Sequence, residues 1–366
     1  MSMAAERSRA AAIEPDRLDG FPAPREVECL FGHEAAEREF ADVLQSGRIH
    51  HAWLIVGPEG IGKATLAYRL ARSVLAENES VDQHHPVFRK VASLSHPNLL
   101  RITRSWVEKS KRYSQWILID EVRRLRAFLS HSAGEEGWRM VIVDRADELN
   151  QNAANALLKA LEEPPPRTLF FLISSAEGRL PVTIRSRTRV LRLAPLGEDD
   201  LERAVQAALL RGAYEPDAKT LGKALRLSEG SVRRALELVS GGGIELYDEI
   251  AASLAALPNI DGPRLHRQVE RLAGVAGTER LDLYLSLLLG LIERLIRASA
   301  TGEVATPEEQ ELAKKLLSPA NLAAWAGAWE AISEAKAEAA ALNLDRSLLL
   351  LDTWIKLQAV AREHPV

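Results

Sequence analysis

The stretch that decides the fold is Ala52-Trp53-Leu54-Ile55-Val56-Gly57-Pro58-Glu59-Gly60-Ile61-Gly62-Lys63-Ala64-Thr65. Its first five residues form a short apolar run of the kind that makes a buried strand, and Thr65 to Ala76 has the apolar spacing of a helix. Between them lies a glycine-rich turn ending in lysine, the setting in which a phosphate-binding loop works. Glycines let backbone amides approach phosphate oxygens, the helix N-terminus adds favourable partial charge, and a lysine here reaches the outer phosphates. Gly57, Gly60, Gly62, Lys63 and Thr65 are therefore candidate nucleotide-binding residues. The pattern next asks for Ser or Thr, whose hydroxyl binds Mg²⁺, and Ala64 stands there instead. Thr65 comes one residue late, and a step of about 100° around the helix carries its hydroxyl away from that position. Two readings stay open on this ground: a nucleotide held with weakened magnesium binding, or an inherited turn that holds none.

Outward from the loop, short apolar runs at Arg139–Val143, Leu169–Ile173 and Thr188–Leu191 read as further buried strands. They alternate with helical patterns at Asp120–Leu129 and Ala153–Glu162, the latter stopped by Pro164-Pro165-Pro166. This alternation predicts an α/β domain with a parallel sheet over residues 29–195. The run Met140–Val143 leads into Asp144, at the place of the acid that completes a magnesium shell in such folds, and Asp144 joins the candidate nucleotide-binding residues. Where a hydrolytic site next carries a glutamate to activate water, the chain has Arg145, a permanent cation that cannot accept a proton. Hydrolysis at this site is not expected.

Beyond Pro195 the strand signals vanish. Glu198–Leu210, Ala218–Leu227 and Ser231–Val239 read as three short helices, closed by Gly241-Gly242-Gly243 as a candidate hinge; residues 196–243 are expected to form a small helical domain. Residues 244–366 are helical in pattern throughout and predict an all-helical third domain. There Leu283, Leu287, Leu291 and Leu295 make an apolar stripe, which fits burial within the domain as well as contact in an assembly. Residues 1–28, which mix charge, proline and alanine, are expected to be a mobile tail. Glu77 to Lys111 is the least legible stretch. Its His84, His85 and His96 lack acidic or cysteine partners at ligand spacing, so a solvated loop is expected there and no metal site.

Composition narrows the class. A chain of 366 residues, 46% apolar and 27% charged, has material for two or three globular domains. Its formal net charge of -4 argues against coating nucleic acid by bulk electrostatics and leaves only a local or shared contact. The single cysteine, Cys29, rules out an intrachain disulfide and suits a reducing cytoplasm. The longest apolar stretch, Leu283–Ile292, falls short of the roughly 18 residues that span a bilayer, so no membrane partner is expected.

The run Asp144-Arg145-Ala146-Asp147-Glu148-Leu149-Asn150, followed by Ala153-Ala154-Asn155-Ala156-Leu157-Leu158-Lys159-Ala160-Leu161-Glu162-Glu163-Pro164-Pro165, resembles the clamp-loader branch of AAA+ proteins. Leu180 to Thr188 looks like that family's Ser-Arg-Cys motif, with Thr188 in place of the cysteine. His50 to Leu54 and Gly230 to Leu236 resemble the branch as well. The resemblance is specific over about Phe31–Val239 and architectural beyond. It implies an AAA+ domain, a helical lid over 196–243 and an oligomerising helical collar over 244–366. It also implies Ser174 or Ser175 as a polar sensor, Arg233 as a lid sensor at the nucleotide, and Arg187, with Ser186, as a catalytic arginine acting in trans.

Within that family the gamma/tau subunits are ATP-hydrolysing motors, and a companion subunit has a defective site. Ala64 and Arg145 point to the companion, which requires no cofactor of its own and for which ATP binding without hydrolysis stays open. The implied partners are the gamma/tau and delta subunits and, through the complex, the sliding clamp and primed DNA. The family's four-cysteine zinc module has no counterpart here, and no polymerase carboxylate constellation is visible. The competing readings are an ATP-hydrolysing gamma/tau-type motor, a P-loop kinase or nuclease-associated enzyme acting alone, and a scaffold without a catalytic role. For Arg187 the plain alternative is a surface arginine in an Arg185-Arg187-Arg189 alternation on one strand face.

Overall fold

The strand Ala52–Val56 (β1) is buried along its whole length and lies between two parallel neighbours, Thr168–Ser174 (β6) and Arg189–Arg192 (β7). A computed structural model of the protein describes residues 14, 17–77, 79–108, 112–130, 137–260, 262–273, 278–302, 306–342 and 344–365. Among these, Leu99–Ile102 (β2), Arg139–Val143 (β5), β6, β1 and β7 form a five-stranded parallel sheet in that order. Successive side chains leave a strand on opposite faces, so each strand feeds two cores. Trp53, Ile55, Met140, Ile142, Phe171 and Ile173 pack on one face with Glu34–Gln45 (α1) and Lys63–Leu75 (α2). Leu54, Val56, Val141, Val143, Phe170 and Leu172 pack on the other with Ile119–Ser130 (α4) and Gln151–Glu162 (α5). The strand runs read as continuously apolar because both faces are covered.

α5 starts where the Asn150 side chain accepts the Ala153 N–H at 2.8 Å, and ends ahead of the prolines that cannot continue it. Asp144, Ser175 and the glycine loop all follow the C-terminal ends of adjacent strands β5, β6 and β1, the edge at which open parallel sheets hold ligands.

Three features differ from the sequence reading. The least legible stretch contains a helix, Pro86–Ala92 (α3), the edge strand β2, and the short strand Trp106–Val107 (β3), which pairs antiparallel with Arg112–Tyr113 (β4) just beyond it. Its histidines have local structural roles: His85 caps α3 by accepting the Val87 N–H, and His96 accepts the Asn98 N–H ahead of β2. Second, the stretch expected as a tail is packed over its described part. Phe21, Ala23 and Arg25 are buried, Glu14 pairs with Arg25 at 2.5 Å and Arg101 at 3.0 Å, and Arg72 of α2 donates to the Arg25 carbonyl at 3.1 Å. Residues 1–13, 15 and 16 lie outside the described residues. Third, Arg185, Arg187 and Arg189 do not share a strand face. Arg185 ends a short helix, Val182–Arg185 (α6), Arg187 lies in the turn after it, and Arg189 opens β7.

The chain divides into two compact units, residues 1–215 with 228–235, and residues 216–227 with 236–366. The first holds the sheet and Glu198–Arg211 (α7). Ala218–Leu227 (α8) belongs to the second, and Val232–Ser240 (α9) begins in the first and ends in the second. Gly242, at φ +65°, caps the N-terminus of Gly243–Ala255 (α10), so Gly241 and Gly242 lie between the two helices and Gly243 opens the second. The second unit continues with Gly262–Ala273 (α11), Thr278–Thr301 (α12), Pro307–Leu316 (α13), Leu322–Leu342 (α14) and Arg346–Glu363 (α15). In α12, Leu287, Leu291 and Leu295 are sealed inside this unit and Leu283 is half-buried, so the stripe serves the unit's own core. No described helix is long and apolar enough to cross a membrane.

Candidate functional site

The glycine loop closes on itself. Lys63 opens α2 and is 6% exposed; its Nζ donates to the carbonyls of Gly57 at 2.8 Å and Pro58 at 2.5 Å, and to Ser175 Oγ at 2.9 Å. An ammonium has three donors, so all of them are spent inside the protein. Burial pushes the Lys63 pKa down to about 8, against the pull of Glu59, Asp147 and Asp144 and with the push of Arg145. A lysine with a lowered folded pKa is a burden at neutral pH, and that burden lifts as pH rises from about 8 to the ordinary 10.5. Titration of selectively labelled lysines is expected to show Lys63 with a midpoint near 8, apart from the surface lysines. A midpoint among theirs would remove the closed loop described here.

The loop is also pressed from the side. A Cβ on Gly60 would stand 2.3 Å from Ser231 Oγ and 2.6 Å from Arg233 Cβ, so only glycine permits this approach. Ser231 Oγ donates to the Glu59 carbonyl at 2.9 Å, and the Arg233 N–H to the Gly60 carbonyl at 3.3 Å. Gly62 caps α2 at φ +104°, and a Cβ on Gly57 would meet the Leu193 carbonyl at 2.5 Å. Thus Gly57, Gly60, Gly62, Lys63, Ser175 and Arg233 come together. Thr65 is half-buried on the first turn of α2, and its hydroxyl makes none of the described hydrogen bonds. Ser174 is fully buried and its Oγ accepts the Ala176 N–H at 3.1 Å, which leaves Ser175 as the polar residue facing the loop.

Asp144, the residue after β5, lies close enough to Lys63, Tyr68 and Arg101 to act on each electrostatically. Arg145 takes φ +58°, a region few non-glycine residues adopt, and its guanidinium pairs with Glu59 Oε1 at 2.7 Å and Glu148 Oε1 at 3.2 Å. The residue that follows Asp144 is thereby tied to the glycine loop itself. With no hydroxyl at Ala64 and this cation across the loop, the residues present do not fit a magnesium-nucleotide site that hydrolyses. Among the described residues no group of His, Cys, Asp and Glu could hold a metal ion.

Arg187 stands apart from this cluster. It is half-exposed in the turn after α6, its Nη2 pairs with Glu162 Oε1 at 2.8 Å, and its Nη1 donates to the Thr183 carbonyl at 3.1 Å and Ser186 Oγ at 3.4 Å. Sequence reasoning missed Glu59 and Glu162. The acidic residue inside a glycine loop was a visible signal for the first; for the second only the fold reveals the pairing.

A family model described as "DNA polymerase III, delta subunit" matches residues 32–197. The chain is 32% identical to DNA polymerase III subunit delta' of Escherichia coli (strain K12), with 86% of this chain and 90% of that protein covered. It is 34% identical to the delta' subunit of Pseudomonas aeruginosa over 57% of this chain and 61% of that one. It is 28% identical to DNA polymerase III subunit gamma of Buchnera aphidicola subsp. Acyrthosiphon pisum over 59% of this chain, and spans 58% of that protein's length. With a glycine-rich loop at the edge of a parallel sheet, a helical second unit, and near full-length similarity to a delta' subunit, the chain belongs to the delta' family of DNA polymerase III clamp-loader subunits.

Proposed function

We propose that this chain is the clamp-loader subunit that turns over no ATP of its own and lends Arg187 to the nucleotide site of a neighbouring gamma/tau motor subunit. The observation that carries this reading is the contrast between its two arginines. Arg145 occupies the place of the catalytic base and is bound to Glu59 of the loop, whereas Arg187 is half-exposed on the surface with donors to spare. The chain requires no cofactor, and its own loop turns over no ATP whether or not a nucleotide enters it. Its partners are the gamma/tau and delta subunits; the sliding clamp and primed DNA are reached through the complex, in the cytoplasm. Residues 196–243 serve as a lid and residues 244–366 as the collar that joins the assembly.

The isolated chain is expected to hydrolyse ATP no faster than background, because the base is replaced and a magnesium ligand is lost. Its nucleotide affinity is expected to be unchanged by adding Mg²⁺. Turnover by the pure protein that disappears with Lys63→Ala would reverse the assignment in favour of a motor subunit.

A further inference from the structure

We propose that Glu162 is the positioning residue for Arg187, holding its guanidinium in one orientation before a neighbour's phosphate arrives. This rests on the reading of Arg187 given above. Three acceptors converge on the side chain: Glu162 Oε1 on Nη2, and the Thr183 carbonyl and Ser186 Oγ on Nη1. Ser186 Oγ is itself fixed, since it donates to the Thr183 carbonyl at 3.1 Å. These contacts use both N–H groups of Nη1 and one of Nη2. They leave the Nε–H and one Nη2–H to offer a phosphate.

The backbone behind the pair is packed against the core. Glu162 is the last residue of α5, and α5 packs on α6, which leads into the Arg187 turn. Leu161 and Ile184, beside the two partners, are sealed in the same core. A catalytic arginine on a mobile surface turn would have to search its rotamers at each encounter, whereas one held by fixed acceptors is oriented in advance.

A carboxylate on a catalytic arginine could instead act as a brake by competing with the phosphate. The magnitudes favour positioning. A half-exposed ion pair shifts an equilibrium by no more than about fivefold. That is enough to bias a rotamer and too little to withhold the guanidinium from a triphosphate, whose oxygens make several charge-assisted bonds.

The test uses the reconstituted clamp loader with Glu162→Ala, Glu162→Gln, Arg187→Ala and the Glu162→Ala/Arg187→Ala pair. Glu162→Ala is expected to remove about half to four-fifths of the clamp-stimulated turnover that Arg187→Ala removes, matching a two- to fivefold loss at the served site. The loss should fall on kcat, with KM for ATP unchanged. Glu162→Gln keeps an acceptor at the same reach and should restore part of it. In the Arg187→Ala background, Glu162→Ala should add nothing. In the isolated chain, Glu162→Ala should speed phenylglyoxal modification of Arg187, read by mass spectrometry. Faster turnover with Glu162→Ala would make Glu162 a brake, and an equal loss in the Arg187→Ala background would make its effect independent of Arg187; either overturns the proposal. A silent Glu162→Ala beside an impaired Arg187→Ala sinks the positioning role alone. A silent Arg187→Ala sinks the trans-acting reading and the positioning role with it.

Discussion

Arg187→Ala is expected to leave the chain folded and the complex assembled while slowing the one motor site it serves by on the order of 10³-fold or more, the scale of arginine fingers in other phosphoryl-transfer systems. The guanidinium is always charged and offers donors in a fixed fork, which matches the oxygens of a phosphoryl group as charge builds on them. Total ATPase of the complex should fall far less than that, because other motor sites keep arginines of their own. Clamp loading should fall with it. Arg187→Lys keeps the charge and loses the fork, so partial rescue is expected. Stability should barely move, since the lost contacts are a half-exposed ion pair and two hydrogen bonds at the surface. The decisive measurement is single-turnover hydrolysis in complexes whose remaining motor sites are inactivated. If Arg187→Ala matched the unmodified rate there, the chain would be a scaffold.

Much of this fold is legible in the sequence, and the failures have physical causes. β1 falls where a short, fully apolar run places it, and β5 where the apolar run Met140–Val143 follows the half-buried Arg139, because a strand covered on both faces reads as near-continuously apolar. β2 escapes because it is four residues long with Arg101 inside it, and that arginine is met there by Glu14, with Asp144 adding to its electrostatic surroundings. The same pairing explains the misread N-terminal stretch. Composition counts Glu14 and Arg25 as solvated charges, whereas the fold buries them against each other. The stripe on α12 is real, and only tertiary packing tells that it serves its own unit.

The candidate site divides in the same way. The loop, Asp144 and the acceptor at the end of β6 are fixed by motif and strand order, so their convergence follows once the sheet is read. Glu59 and Arg145 are 86 residues apart and no local pattern links them. Yet their pairing joins the turn after β5 to the glycine loop.

The second large effect is expected in the helical unit. Glu309→Ala should destabilise it by about 3–5 kcal/mol, the usual cost of stripping one partner from a buried ion pair. Glu309 and Arg294 are 2% and 5% exposed; Arg294 Nε donates to Glu309 Oε1 at 2.9 Å, and the Tyr247 hydroxyl donates to the same oxygen at 2.6 Å. Burial first, and the Glu309 carboxylate second, push the Tyr247 hydroxyl far above its usual range, so it stays a donor at any physiological pH. The Thr306 side chain accepts the Glu309 N–H and caps α13, so the carboxylate is held on a fixed helix start. Tyr247 on α10, Arg294 on α12 and Glu309 on α13 are thereby tied at one point. Removing the carboxylate strips a buried guanidinium of the Glu309 countercharge and takes the acceptor from the Tyr247 hydroxyl. Replacing both charges with apolar residues of similar volume, as in Arg294→Met with Glu309→Leu, removes that penalty and should be close to neutral. The comparison is made by urea unfolding, followed through the transition of the helical unit. The single variant should also weaken co-purification with motor subunits where the double variant does not, since the proposed collar must be folded to assemble. A single variant costing under about 1 kcal/mol would mean that water reaches Arg294, and the pair would then rank with the surface ion pairs.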